Sequence, residues 1–229
     1  MGRKGNKMET KNFMKAYKIL SKYDVLDRIS VVFGIYRPMS EHQFIAQVIA
    51  NMDWIKNINV FLDMDNTLFR FSYGKSNDVD VLERVLDAGF FRNLEPMKNI
   101  AIYEALQLIG VKVYVLSACP VSAPNSKQEK REALKEHMPF LKNSQILLCN
   151  VGDNKAEFAR KKAHLDNLET SFLIDDWKGN LTAWKEAGGI PIKKAMSFKI
   201  RPYPTLLDHR DVVDMVLSLA KTNANIKED

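Results

Sequence analysis

The sequence predicts an α/β fold: a parallel sheet with helices on both faces, preceded by a helical extension. Three observations predict it. From Ile58 onward, short β-rich runs alternate with helix-like stretches, the pattern of successive βα units. Those runs are apolar without strict alternation, as in strands covered on both sides. Hydrophobic residues make up 46% of the 229, enough to bury one sizeable core.

The elements follow in order. Residues 1–9 read as a flexible basic lead. Residues 10–56 carry helical spacing, first at Phe13, Tyr17 and Leu20, then at Phe44, Val48 and Ile49. Pro38 and Ser40 separate the two stretches, and Ser40 stands where it would cap the second. This divides the chain into a basic N-terminal helical extension, 1–57, and a main domain, 58–229. The expected strands are NVFLDMD (59–65), VKVYVLSA (111–118), SQILLCN (144–150), TSFLIDD (170–176) and GGIPIK (188–193). Helices are expected near 97–109, 127–137, 154–163, 178–187 and 209–220. Gly188-Gly189 ends the fourth of these and turns into the last strand.

Charge and composition exclude several function classes. The formal net charge is +6, and residues 1–57 hold ten Lys/Arg against five acids, so they carry +5 of it. A basic segment attracts nucleic acid or anionic ligands, although a solvated basic tail is the plainer reading. The two cysteines, Cys119 and Cys149, have no close spacing, which argues against a disulfide framework or zinc site and for reduced thiols in the cytoplasm. No apolar run approaches the ~20 residues of a membrane span. No G-x-x-x-x-G-K-[ST] motif is present, which argues against a P-loop nucleoside triphosphatase. The spacing of His42, His137, His164 and His209 suggests no metal site, and structural or surface roles are expected for them.

The chemistry sits where the strands end. Asp63 ends the first strand, with Asp65 just after it. Ser117 and Ala118 end the second, Asp175 and Asp176 end the fourth, and Lys155 begins the helix after the third. In open α/β sheets, ligands bind outside the carboxyl ends of the strands. Clustered carboxylates repel one another unless a cation joins them, and hard oxygen donors select Mg²⁺, which commonly binds one or two carboxylates plus a phosphate. A carboxylate can attack phosphorus, and a second one two residues on can protonate the leaving oxygen and then activate water.

In these residues the chain resembles the haloacid dehalogenase superfamily of phosphohydrolases. DMDNTL is similar to its first motif, VYVLSA to its second, Lys155 in GDNKAEF to its third and LIDD to its fourth, in order, between Asn59 and about Lys194. The resemblance implies a Rossmann-like domain with Asp63 as nucleophile and Asp65 as general acid/base. It implies Mg²⁺ on the Asp63 carboxylate, the Asp65 carbonyl and one of Asp175 and Asp176, with Asp176 the direct ligand and Asp175 in support. Ser117, the Ala118 amide and Lys155 would hold the phosphate. An acid at position 65 favours phosphate-ester hydrolysis over dehalogenation.

The phrases DMDNTLFRF, GFFRNLEPM, LSACP and LIDDWKGNLTAWKEAGGIPIK further resemble the 5′(3′)-deoxyribonucleotidases of cytosolic type C and their bacterial and phage relatives. That implies a 5′-nucleotidase acting on (deoxy)nucleoside monophosphates, with Phe71, and less directly Phe91, beside the nucleobase. Trp177 is placed at the substrate entrance or, more simply, in packing. The chain departs from that group between its first two motifs, where Phe69–Asn99 leaves room only for a small helical cap, about one helix (Val79–Leu86) with loops. Residues 10–56 or a second subunit of a homo-oligomer would then help close the site. In the basic loop after the second motif, Lys127 is expected to reach a phosphate, and Lys130 and Arg131 to face solvent. Two rival readings stand beside this one: a 3′-phosphatase acting on nucleic-acid ends, and a non-catalytic partner-binding protein on the same fold.

Overall fold

Six strands form one parallel sheet in the order β3-β2-β1-β4-β5-β6: β1 (Asn59–Leu62), β2 (Lys112–Cys119), β3 (Ile146–Asn150), β4 (Ser171–Asp175), β5 (Ile190–Lys194) and β6 (Thr205–Leu206). The computed structural model describes residues 2–71, 84–196 and 202–226, and the side chains of all of these except 2–7 and 223–226. Among the described residues the named helices are α1 (Gly2–Lys22), α2 (Leu26–Val32), α3 (Glu41–Ala50), α4 (Met52–Ile55), α5 (Ile102–Leu108), α6 (Ser126–His137), α7 (Lys155–Ala163), α8 (Lys178–Glu186) and α9 (Val212–Ile226). β1, β3 and β4 are apolar over nearly their whole length and almost wholly buried, the character of strands covered on both faces. The strand order winds from β1 to β2 and β3 on one side and to β4, β5 and β6 on the other. The switch between β1 and β4 is therefore where a crevice opens at the strands' carboxyl ends.

The chain divides into two compact units. The second, residues 60–100 and 114–207, holds the sheet apart from Asn59, Lys112 and Val113. Phe61, Leu116, Leu147, Leu173 and Leu181 build its core around Trp184, with Ala156 and Ala159 of α7. The Trp184 indole donates to the Ser171 carbonyl at 3.1 Å. A Cβ at position 189 would lie 2.2 Å from that indole, so Gly189 is required by close approach. Gly188 serves a different need. At φ +85° it ends α8 in the left-handed region.

The first unit, residues 1–59, 101–113 and 208–229, is helical. α1 packs its Phe13, Ala16 and Leu20 face against α5 and α3, and α9 packs against α2, α4 and α5. Ser40 caps α3 through a capping box with Gln43. His209 is buried here, its Nδ1 2.8 Å from the Tyr103 hydroxyl.

Some expectations shift. Residues 2–9, expected as a flexible lead, are the first turns of α1, because Lys4, Lys7, Met8 and Glu9 are good helix formers and no proline interrupts them. Ile49 is 52% exposed, outside the buried stripe. α5 starts at Ile102 rather than 97, after Asn99 in the left-handed region. Of the expected cap helix Val79–Leu86, residues 79–83 lie outside the described residues. Both cysteines are buried and free. No helix among the described residues is long and apolar enough to cross a membrane.

Candidate active site

Every group of the site belongs to the second unit. The loop after β1 is folded by its own backbone. The Met64 carbonyl accepts from the amides of Thr67, Leu68 and Phe69, and the Asn66 amide donates to the Phe69 carbonyl at 2.8 Å. Asn66 takes φ +55°, a conformation asparagine tolerates better than most residues. Its side chain accepts from the Phe71 amide at 3.1 Å. This tight turn sets Asp63 and Asp65 at the mouth of the β1/β4 crevice, and the Asp63 amide is tied to the Ile174 carbonyl of β4 at 2.9 Å.

Two lysines hold these aspartates. Lys155, capped into the first position of α7 by Asn154, is 5% exposed. Its ammonium donates to Asp63 Oδ1 at 2.6 Å and to Asp175 Oδ2 at 2.8 Å. Asp63 Oδ2 accepts no hydrogen bond from the described residues. Lys130 of α6 is fully buried. Its ammonium donates to Asp65 Oδ2 at 2.6 Å, to Ser117 Oγ at 2.9 Å and to the Ala118 carbonyl at 2.8 Å. It also lies 4.8 Å from the centre of the Phe91 ring.

Lys130 overturns an expectation: it does not face solvent on α6 but reaches inward to the second catalytic candidate. Arg131 is half-buried, and Lys127 donates to the Asn150 side chain at 2.9 Å. A signal for Lys130 was present. The buried stripe of α6, Ala133 and Leu134, extended one turn back by three and four residues, lands on Glu129 and Lys130. Two charged residues on a core-facing stripe require buried partners.

Asp175 is fully buried with both oxygens engaged: Oδ2 also accepts from Asn180 at 2.8 Å, and Oδ1 accepts from the Trp177 amide at 2.7 Å. Asp176 is half-buried beside it. Burial first, then the neighbouring Asp175 charge, pushes the Asp176 carboxyl up to about 6. Burial, with Asp175 and Asp65 adding to it, also raises Asp63 well above the ordinary carboxylate range, against the pull of Lys155. Burial works against the charge of Lys155, but Asp63 and Asp175 outweigh it and hold the ammonium protonated. Four carboxyl groups converge where two ammoniums, Lys155 and Lys130, are hydrogen-bonded to them, and Lys193 acts on Asp176 only through space. One oxygen each from Asp63, Asp175 and Asp176 lies within 4.8 Å of the others, and Asp65 Oδ1 is buried with no hydrogen-bond partner among the described residues. This hard-oxygen donor set fits a divalent cation such as Mg²⁺.

The carboxylates open into a pocket of about 480 Å³. Ala118, Lys155, Phe71, Phe91 and Trp177 line it, whereas Ser117 is buried behind the wall. Phe71 and Phe91 stack at 6.1 Å, and Phe90 meets both edge-on. Trp177 is 68% exposed, so packing does not explain it. The segment carrying Phe91 is fastened to α6: Glu129, itself buried, accepts from the Gly89 amide at 2.7 Å and the Phe91 amide at 3.0 Å. At its base, Arg70 donates to the Glu95 carbonyl and Met97 to the Leu68 carbonyl, both at 2.8 Å.

No family model matches the sequence, and no curated protein matches it. Among solved structures, the chain is similar to a crystal structure described as "Putative Phosphatase from Clostridium difficile", with 15% identity and a TM-score of 0.48, over 69% of this chain and 97% of that one.

Proposed function

We propose that the chain is a Mg²⁺-dependent phosphatase of the haloacid dehalogenase type, working through an aspartyl-phosphate on Asp63, with (deoxy)nucleoside monophosphates as substrates. The observation that carries this reading is the pairing at one pocket of two aspartates two residues apart, each with its own buried lysine.

Asp63 Oδ2 attacks phosphorus while Lys155 holds Oδ1. The P–O ester bond breaks, and Asp65 gives its proton to the departing oxygen. Asp65, now a carboxylate, takes a proton from a water molecule, whose oxygen attacks the same phosphorus. The P–O bond to Asp63 breaks, inorganic phosphate leaves, and both aspartates are regenerated. The Asp63 carboxylate, the Asp65 carbonyl and Asp176 would hold Mg²⁺, which would supply positive charge against the phosphate oxygens. Asp175 is the supporting residue because both its oxygens are already engaged. The Ala118 amide and Lys155 are assigned to the phosphate; Ser117, which the sequence placed beside them, is buried behind the pocket wall and holds Lys130 instead. Phe71 is assigned to the planar base, with Phe91, held by Lys130 and Glu129, packed against it as support.

The test is a panel of nucleoside monophosphates, sugar phosphates and 3′-phosphorylated oligonucleotides with Mg²⁺, run on the wild type and on Asp63→Asn. Nucleoside 5′-monophosphates should give the highest kcat/KM, and Asp63→Asn should abolish turnover while its thermal melt remains cooperative. The oligonucleotide arm tests the 3′-phosphatase reading. Inertness toward the whole panel, or near-wild-type turnover by Asp63→Asn, overturns the mechanism.

A further inference from the structure

In the sequence of α1, lysines recur at intervals of three and four residues from Lys4 to Lys22, and Lys11, Lys15, Lys18 and Lys22 are those whose side chains the structure describes. At 3.6 residues per turn they fall within an arc of roughly 80°. The buried residues Phe13, Ala16 and Leu20 occupy the opposite side of the helix. Lys11, Lys15, Lys18 and Lys22 are exposed, and Lys15 also pairs with Glu104 of α5 at 2.5 Å. Through residue 22 the chain holds seven basic residues against a single acid, Glu9, so this helix carries the whole formal charge of +6 and the remainder balances. An ordinary solvated helix intersperses both signs along its exposed face. This one presents a single sign from Lys11 to Lys22, in one row about 16 Å long.

We propose that this row is a binding surface for the phosphate backbone of a nucleic-acid duplex. A row of that length spans about five phosphates of one strand, enough for its four lysines. Lysine is a point charge on a flexible stem, suited to phosphates regardless of sequence, so the surface binds without reading bases. A lipid surface is the other polyanion available, but a helix lying on a membrane buries a continuous apolar face there. The apolar face of α1 is already covered within its own unit, and Met8 is the one large apolar side chain strongly exposed on it among the described residues. The inference rests on α1 alone and stands independently of the catalytic reading.

The test is fluorescence anisotropy of a labelled DNA duplex of about 20 base pairs, titrated with the full chain over a range of salt. With four phosphates neutralised, affinity should fall roughly a hundredfold between 50 and 200 mM salt. The Lys11→Glu/Lys18→Glu/Lys22→Glu variant should lose at least about tenfold in affinity at low salt, and a Lys→Arg triple at the same positions should retain it. A Lys→Gln triple serves as the readout if the Glu variant fails to match the wild-type circular dichroism. Absence of duplex binding, undiminished binding by the neutralised variant, or binding to phosphatidylserine vesicles in place of the duplex overturns the proposal.

Discussion

Lys130 shows how much a single buried cation can organise. Its ammonium has three oxygen partners and the face of Phe91, so it fixes Asp65 relative to the end of β2 and to the aromatic wall at once. Removing it leaves Asp65 Oδ2 without its charged donor, and such hydrogen bonds are worth roughly 1.5–3 kcal/mol. Lys130→Gln should therefore lower kcat about 10- to 150-fold with a smaller change in KM. The loss should be greater for esters whose leaving group needs a proton, because the damage falls on the proton-transferring residue. Steady-state kinetics on a nucleotide and on an activated aryl phosphate check this, and equal losses on both would assign Lys130 a purely structural role. The raised carboxyls of Asp63 and Asp176 give a second prediction at this scale. A carboxyl raised in the folded state holds its proton where the unfolded chain has lost it. Without metal, these two groups therefore lower stability as pH climbs from about 4 through about 6 and beyond. A divalent cation favours the ionised form and offsets that loss. The rise in Tm on adding Mg²⁺ should then be larger at about pH 8 than at about pH 5, and Asp176→Asn should flatten the difference. Thermal melts with and without Mg²⁺ decide it, and a pH-independent increment would count against metal binding at these carboxylates.

Among the elements, those with strong local patterning were legible in the sequence. β1 to β5 lie within a few residues of their expected places because each is a short apolar run bounded by turn signals. β6 was not foreseen: two residues, Thr205 and Leu206, carry no periodicity, and only pairing with Lys193 and Lys194 makes them a strand. The strand-end aspartates and Lys155 were visible because charge at the end of an apolar run is costly and local. For Lys130 the α6 stripe marked a core-facing position but not its role, because its partners lie 65 residues away at Asp65 and 12 and 13 residues away at Ala118 and Ser117. Its neighbour Glu129 makes the same kind of long-range tie, clasping two backbone amides of the segment that carries Phe91. Glu129→Ala leaves both amides without an acceptor in a buried place and should cost roughly 2 kcal/mol or more of stability. It should also raise KM for a nucleotide more than for a small aryl phosphate, since the aromatic wall loses its fastening while Asp63 and Lys155 keep theirs. Glu129→Gln, which retains one acceptor oxygen, should recover part of both effects. A uniform loss on both substrates would separate this clasp from substrate binding.

For the whole molecule, the question is what residues 1–57 are for. Their apolar spacing demands a partner surface, and the sequence alone suggested the short insert beside the site. Within its own unit the segment already has partners: α1 covers α5, while α2 and α4 cover α9. The unit is thus assembled from three stretches of chain far apart in sequence, with the salt bridge from Arg28 to Asp211 at 2.5 Å and the bond from the Lys221 ammonium to the Val32 carbonyl at 2.8 Å closing it. Removing residues 1–57 would strip cover from Ile102, Tyr103 and Leu106 on α5 and from Val213, Val216 and Leu217 on α9, all buried. Each large side chain so exposed costs roughly 1.5–3 kcal/mol, against a typical net stability of about 5–15 kcal/mol. The truncated chain should therefore melt far below the full one or fail to fold, and it should aggregate through the uncovered faces. Circular dichroism melts and size-exclusion profiles of the two proteins test this. A truncated protein that stays monomeric with an unchanged Tm would show that α5 and α9 hold without α1–α4. Nucleotide and aryl phosphate kinetics on that protein would then isolate a lid role for the segment, through a loss confined to the nucleotide.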